Sequence, residues 1–93
     1  MENSYSYPLD IDWSTEEIII VVEFFQMIEE GYESGIKSST LMEGYRNFKT
    51  VVPSKAEEKT LFREFKEVSG FESYNLIKQL KDSHTNEILK ISK

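Results

Sequence analysis

The chain contains no cysteine, one histidine, two prolines and four glycines among its 93 residues. Without cysteine it has no disulfide, no thiolate metal ligand and no cysteine nucleophile. His84 alone cannot supply a site that needs two histidine ligands from one chain. Asp82 and Ser83 stand beside it, but neighbours in sequence rarely reach triad geometry. The position reads instead as a helix terminus, where a histidine suits the dipole. The glycines form no phosphate-cradling loop. The longest apolar run, "IIIVV", has five residues, against the ~20 needed to span a bilayer. Basic residues are also in short supply: 11 face 17 acidic ones, for a formal charge of −6. Such a molecule is repelled by nucleic-acid phosphates and by anionic membranes. The opening "MENSYSYPLD" has no basic start and no apolar core, so a cytoplasmic protein is expected.

What remains is enough for one small domain. Hydrophobic residues make up 39% and aromatic residues 13% of the chain, ample for a core and too much for a disordered segment. At this size roughly 60–65% of the unfolded surface is buried on folding, which leaves little room for a deep enclosed site.

The pattern is helical. Tyr5, Tyr7, Leu9, Ile11 and Trp13 alternate with polar residues or Pro8, so the first 13 residues read as an extended arm laid on the domain. Ser14 and Glu17 then form an S-x-x-E capping box, with Trp13 and Ile18 spaced as a hydrophobic staple. Glu16 and Glu17 occupy the first turn, where the dipole favours negative charge. Helix 1 is predicted over 15–34, closed by Gly35 in a left-handed conformation. Its apolar residues cover roughly 200° of the wheel, about twice what a surface helix needs. Helix 1 is therefore central to the bundle, or it also meets a second chain. Ile19 falls on its polar side, among Glu23, Gln26 and Glu30.

Helix 2 is predicted over 39–51, with Leu41, Tyr45, Phe48 and Val52 as its stripe and Pro53 as its stop. Ser54 opens helix 3, 55–69, with a second S-x-x-E box, "SKAE". Leu61, Phe65 and Val68 mark its buried side and Phe62 its margin. Gly70 closes it, and Phe71 folds back. Helix 4 is predicted over 73–82, using Tyr74, Ile77 and Leu80. Residues 87–92 read either as a short strand against the amino-terminal arm or as a frayed turn. The fold class is all-α: a single small bundle of about four helices, with an extended arm and a short tail.

Each polar cluster has an ordinary structural reading. "DIDWS" matches the start of a calcium loop, but Thr15 and Val21 stand where the glycine and the bidentate glutamate belong. It also matches a D-x-D-x-T nucleophile motif without the α/β domain that chemistry requires. It reads as the acidic lead-in to a capped helix, with a weak cation site as the alternative. Lys55, Lys59, Arg63 and Lys66 fall within about 80° on helix 3, just after Arg46 and Lys49. Interleaved glutamates make this a solvated face with intrahelical pairs. The alternative is an anion contact of Arg46, Lys55 and Lys59 at the helix 3 amino terminus. A helix-turn-helix reading fails because the would-be recognition helix opens with Glu57 and Glu58.

"YSYPLDIDWSTEEI", "YRNFKTVVPSKAEEK" and "FREFKEVSGFESY", in this order and over nearly the whole chain, resemble the small uncharacterised protein family 0223 of Gram-positive bacteria such as bacilli. The resemblance implies an all-helical cytoplasmic protein. It implies no activity and no catalytic positions.

The expectation is a non-catalytic protein-interaction or regulatory module, without cofactor or metal, and more readily a monomer than a homodimer. Tyr5, Tyr7, Trp13 and Ile19 are its expected contact surface. The alternative is phosphate or nucleotide binding at the start of helix 3.

Overall fold

In the computed structural model, residues 5–83 and 87–91 are described. Four helices carry the fold: α1 (Thr15–Glu33), α2 (Ser38–Val51), α3 (Lys55–Ser69) and α4 (Ser73–Asp82). Two short strands, β1 (Ile36–Lys37) and β2 (Ile88–Leu89), pair antiparallel with Ile36 opposite Leu89. The architecture is the all-α bundle that the hydrophobic periods predict. None of its described helices is long and apolar enough to cross a membrane.

Helix α1 begins as its sequence dictates. The Ser14 hydroxyl accepts from the Glu17 N–H at 3.1 Å, and the Glu17 carboxylate accepts from the Ser14 N–H at 2.8 Å. Two donors that the first turn leaves orphaned are thereby satisfied. The helix ends at Glu33, and Gly35, at φ 100°, takes the left-handed turn that a side chain would resist. Helix α2 starts at Ser38 after Lys37, with no side-chain cap. At α3 only half of the expected capping box forms. Ser54 accepts from the Glu57 N–H, but the reciprocal bond from Glu57 is not made. Gly70 closes α3 at φ 83°.

The core is aromatic and centred on α1. Phe24 stacks on Phe48 of α2 at 4.7 Å, and Phe25 stacks on Phe65 of α3 at 4.4 Å. Phe62 reaches both Phe24 and Phe25. It is fully buried, so it belongs to the centre of the core and not to its margin. Val68, expected inside, is 45% exposed. The buried face of α3 is thus turned by part of a residue step toward Glu58, Leu61, Phe62 and Phe65. Helix α4 buries Leu76 in addition to the expected Ile77 and Leu80, while Tyr74 is half-buried. Tyr32 pins the α3–α4 junction to α1: its ring stacks on Phe71 at 4.6 Å, and its hydroxyl donates to the Glu72 carbonyl at 3.0 Å.

The tail corrects another expectation. Ile88 and Leu89 do not pair with the amino-terminal arm; they pair with the α1–α2 connection. The Ser38 N–H donates to the Glu87 carbonyl at 2.7 Å, and the Ser38 hydroxyl accepts from the Glu87 N–H at 3.2 Å. The Ile91 N–H reaches the Gly31 carbonyl at 3.1 Å. Leu89 drops into the core while Ile88 faces out. The expected helix terminus at His84 and the end of the tail at Ser92 lie outside the described residues.

Two helical glycines mark close approaches. A Cβ at Gly31 would stand 2.5 Å from Leu76 Cδ1 and 3.3 Å from its Cγ, and Leu76 is fully buried. A Cβ at Gly44 would meet only the far end of the flexible, half-buried Met27. Overpacking a core costs ~1–3 kcal/mol, while replacing glycine by alanine within a helix returns up to ~1 kcal/mol. Gly31→Ala is therefore expected to lower stability by about 1–2 kcal/mol and Gly44→Ala to leave it near the wild-type value. Chemical denaturation of the two variants side by side checks this.

Candidate functional site

Three places concentrate side chains with chemical potential. The first is the amino-terminal arm. Tyr5 and Tyr7 both donate their hydroxyls to the Glu29 carboxylate, Tyr7 at 2.9 Å. Their rings lie against Phe25 and Phe65. Burial, and then the hydrogen bond to Glu29, push the Tyr7 pKa up to about 12 and that of Tyr5 higher still. Trp13 also packs on the core. These three aromatics hold the arm down. The period of two does not persist through the arm, because Leu9 and Ile11, of the same parity, face solvent. A turn lifts them away: the Trp13 N–H donates to the Asp10 carbonyl at 3.1 Å, and the Asp12 N–H donates to the Asp10 carboxylate at 2.9 Å. Asp10 and Asp12 thus build a turn ahead of a capped helix. Among the described residues no group of three or more acidic or histidine side chains is placed to hold a metal ion.

The second place is the start of α3. Glu58, with no exposed surface, projects into the bundle. Its carboxylate accepts from Lys49 Nζ at 2.5 Å, Lys55 Nζ at 3.3 Å and the Tyr74 hydroxyl at 2.7 Å. Tyr45 adds a longer donor at 3.3 Å. Burial alone would raise the Glu58 pKa, but hydrogen bonds from Lys49, Tyr74 and Lys55 outweigh it and hold the carboxyl below its usual value of 4.5. The same contact works in reverse on the phenols. Burial and Glu58 raise Tyr45 to about 12 and Tyr74 further.

This geometry bears directly on the expected anion contact. Lys55 is engaged by Glu58 and lies 5.0 Å from the Tyr74 ring centroid. Arg46 and Lys59 are exposed and take no part in the cluster. Lys55 is thus engaged by the protein's own carboxylate, while Arg46 and Lys59 stand apart from that contact. A carboxylate of the protein itself occupies the position where an incoming phosphate would compete. Sequence reasoning placed Glu58 on a solvated face. The missed signal is its spacing: Glu58, Phe62 and Phe65 lie at i, i+4 and i+7, which is the buried stripe.

The third place is a groove between α1 and α2 of about 180 Å³, lined by Ile20, Phe24 and Met27 and by Gly44. Glu23 stands at the α1 wall, with Thr40, Glu43 and Asn47 at the α2 wall. Ile19, 49% exposed, is next to Ile20 on α1.

The fold and these satisfied clusters define a small helical-bundle protein whose buried charges are used internally. The chain belongs to the Uncharacterised protein family (UPF0223), whose profile matches residues 4–89. It is 56% identical over 87 residues to a UPF0223 protein of Lysinibacillus sphaericus, covering 94% of this chain and 92% of that one. It is 52% identical to a UPF0223 protein of Bacillus cytotoxicus, with 94% and 98% covered. A Staphylococcus aureus UPF0223 protein is 46% identical, with 89% and 90% covered. The family has no known function, so it supplies no site to transfer.

The Glu58 cluster makes two predictions. Removing one partner of a buried ion pair strands the others, at a cost of ~3–5 kcal/mol. Glu58→Ala is expected at the lower end of that range, because Lys49 is partly exposed and can turn to water. A paired apolar replacement, Lys49→Met with Glu58→Leu, is expected to cost less than Glu58→Ala, the remaining loss coming from the Tyr45 and Tyr74 hydroxyls left without their acceptor. The pH dependence follows from the shifts. Folded Glu58 holds its proton less tightly than unfolded Glu58, so its stabilisation is complete above pH 4.5 and is lost as pH falls through the depressed value. The raised tyrosines act at the other end, their stabilisation complete below pH 10 and lost as pH rises toward about 12. Denaturation midpoints across pH check both limbs, and Glu58→Gln is expected to flatten the acid limb and to weaken the Tyr45 and Tyr74 share of the alkaline limb, leaving the Tyr5 and Tyr7 share in place.

Proposed function

We propose that this protein is a non-catalytic, cytoplasmic protein-interaction module that acts as a monomer and presents the arm turn to a protein partner. One observation carries the reading. Ile11 is 97% exposed at the tip of a turn that is braced on both sides. Upstream, Tyr5 and Tyr7 clasp Glu29; downstream, Trp13 packs on the core and Ser14 caps α1.

Single exposed apolar residues are ordinary on protein surfaces. What distinguishes Ile11 is the combination of full exposure with a fixed backbone and a second exposed apolar neighbour, Leu9. Leaving an isoleucine in water forgoes the ~1.5–3 kcal/mol that burial would give. Nothing in the turn requires that side chain, since its hydrogen bonds are made by Asp10, Asp12 and Trp13. A preorganised apolar tip loses little conformational freedom when a partner covers it. The polar clusters support the absence of catalysis: Glu58 and Glu29 are saturated by neighbours whose contacts hold the fold together.

The test is an affinity capture from the native cytoplasm with wild type, Ile11→Ser and Leu9→Ser. These changes touch no core residue, so stabilities are expected to stay within about 0.5 kcal/mol of wild type. A specific protein retained by wild type and at least tenfold depleted with Ile11→Ser supports the reading. Equal recovery by all three variants overturns it.

A further inference from the structure

We infer that the α1–α2 groove is a receptor for a single arginine side chain of a protein partner. This rests on the interaction reading above and adds the chemistry of one contact. The volume decides the scale. Small-molecule pockets run ~300–1,000 Å³, whereas this groove holds about 180 Å³. It takes one side chain and not a metabolite.

The walls decide the chemistry. The floor is apolar: Ile20, Phe24 and Met27 on α1, with the bare backbone of Gly44 on α2. Met27 lies across Gly44, close enough that a Cβ there would displace its thioether. Glycine therefore lets Met27 lie flat across α2, and the flexible sulfur side chain lets the floor adjust to an occupant. The rim is acidic on both sides, Glu23 on α1 and Glu43 on α2. Both are exposed, and neither takes part in an ion pair among the described residues. Nor does α1 supply a cation of its own, since "TEEIIIVVEFFQMIEEGYE" carries no basic residue.

An occupant that fits has an aliphatic stem for the floor and a positive head for two carboxylates on opposite walls. Arginine has both. Its planar guanidinium presents five donors and can address two acceptors at once, and Asn47 and Thr40 offer further polar atoms at the rim. Lysine offers the stem but a more strongly hydrated point charge. An apolar or anionic side chain leaves the two glutamates uncompensated at the contact.

The experiment is an amide NMR titration of the full chain with acetyl-arginine-amide. Acetyl-citrulline-amide serves as the uncharged isostere. The expected result is saturable shifts confined to residues around Glu23, Met27, Glu43, Gly44 and Asn47, with no matching response to citrulline. Glu23→Gln and Glu43→Gln are each expected to weaken binding about two- to fivefold. The double variant is expected to abolish the localised response. Both side chains are exposed, and unchanged amide spectra elsewhere verify folding. Shifts spread over exposed carboxylates generally, or equal binding of citrulline, overturn the inference. That outcome leaves the arm-turn reading intact, because Ile11→Ser capture does not depend on the groove. Failure of the capture experiment would conversely remove that reading without altering the titration.

Discussion

A carboxylate on the core face of α3 sets the terms for the rest of the bundle. Glu58 is fully buried, and an uncompensated charge there would cost several kcal/mol. Compensation comes from three helices. Lys49 and Tyr45 reach it from α2, Tyr74 from α4 and Lys55 from its own helix. Each donor is useful only if its helix stands in register, so satisfying one carboxylate fixes three elements relative to one another. Apolar packing alone tolerates sliding, since many arrangements of phenylalanine bury similar area. A single acceptor with named donors discriminates between them. Phe24 and Phe25 then draw α1 into the same centre through Phe48, Phe62 and Phe65.

The same device recurs at the surface of the core. Glu29 on α1 accepts from Tyr5 and Tyr7, and their rings cover Phe25 and Phe65. In both clusters a glutamate is met by tyrosines, whose apolar bodies pack while their hydroxyls reach the charge. The two differ in cations. Glu58 has two lysines; the Glu29 contact is made by phenols on a chain end. The arm is accordingly the more easily released of the two, since neutral donors bind a carboxylate less strongly than ammonium groups do.

Much of this was legible in the residues. Ser14 with Glu17, Gly35, Pro53 and Gly70 mark helix ends through local chemistry, and the helices fall where those signals put them. Local signals become insufficient where a distant partner decides. Glu58 reads as a surface residue until Lys49 and Tyr74 are brought to it, because a charge is buried only when its partners arrive from elsewhere in the chain. Val68 and Phe62 both fit a helical stripe, and the position of α1 determines which of them turns inward. By pattern alone the tail reads as a strand against the amino-terminal arm or as a frayed turn, and it is neither. Ser38, at the start of α2, settles its place with bonds to Glu87 that no periodicity reports. The expected contact residues divide for the same reason. Tyr5, Tyr7 and Trp13 are large enough to cover the core and do so, while Ile19 stays exposed; Ile11, not among them, is carried outward by a turn that Asp10 nucleates.

The allocation of lysines connects the fold to its surface. Two of the 11 basic residues are drawn to one buried carboxylate. Lys66 is paired with Glu72 at 3.5 Å, close to the α3–α4 junction. Their positive charge is thereby spent near α2, α3 and α4, while α1 carries glutamates along its length and no basic residue. The three glutamates at its carboxyl-terminal end, Glu29, Glu30 and Glu33, oppose the helix dipole. Glu29 is offset by its two phenols. Glu23, one to two turns earlier at the groove, is in no ion pair among the described residues. A fold that stabilises its interior by concentrating cations on one carboxylate leaves another face electrostatically unbalanced. The negative potential of that face favours cationic groups at its surface over anionic ones. The positive charge that fixes the bundle around Glu58 is the charge that α1 lacks, so the internal register and the acidic face of α1 follow from one distribution of lysines.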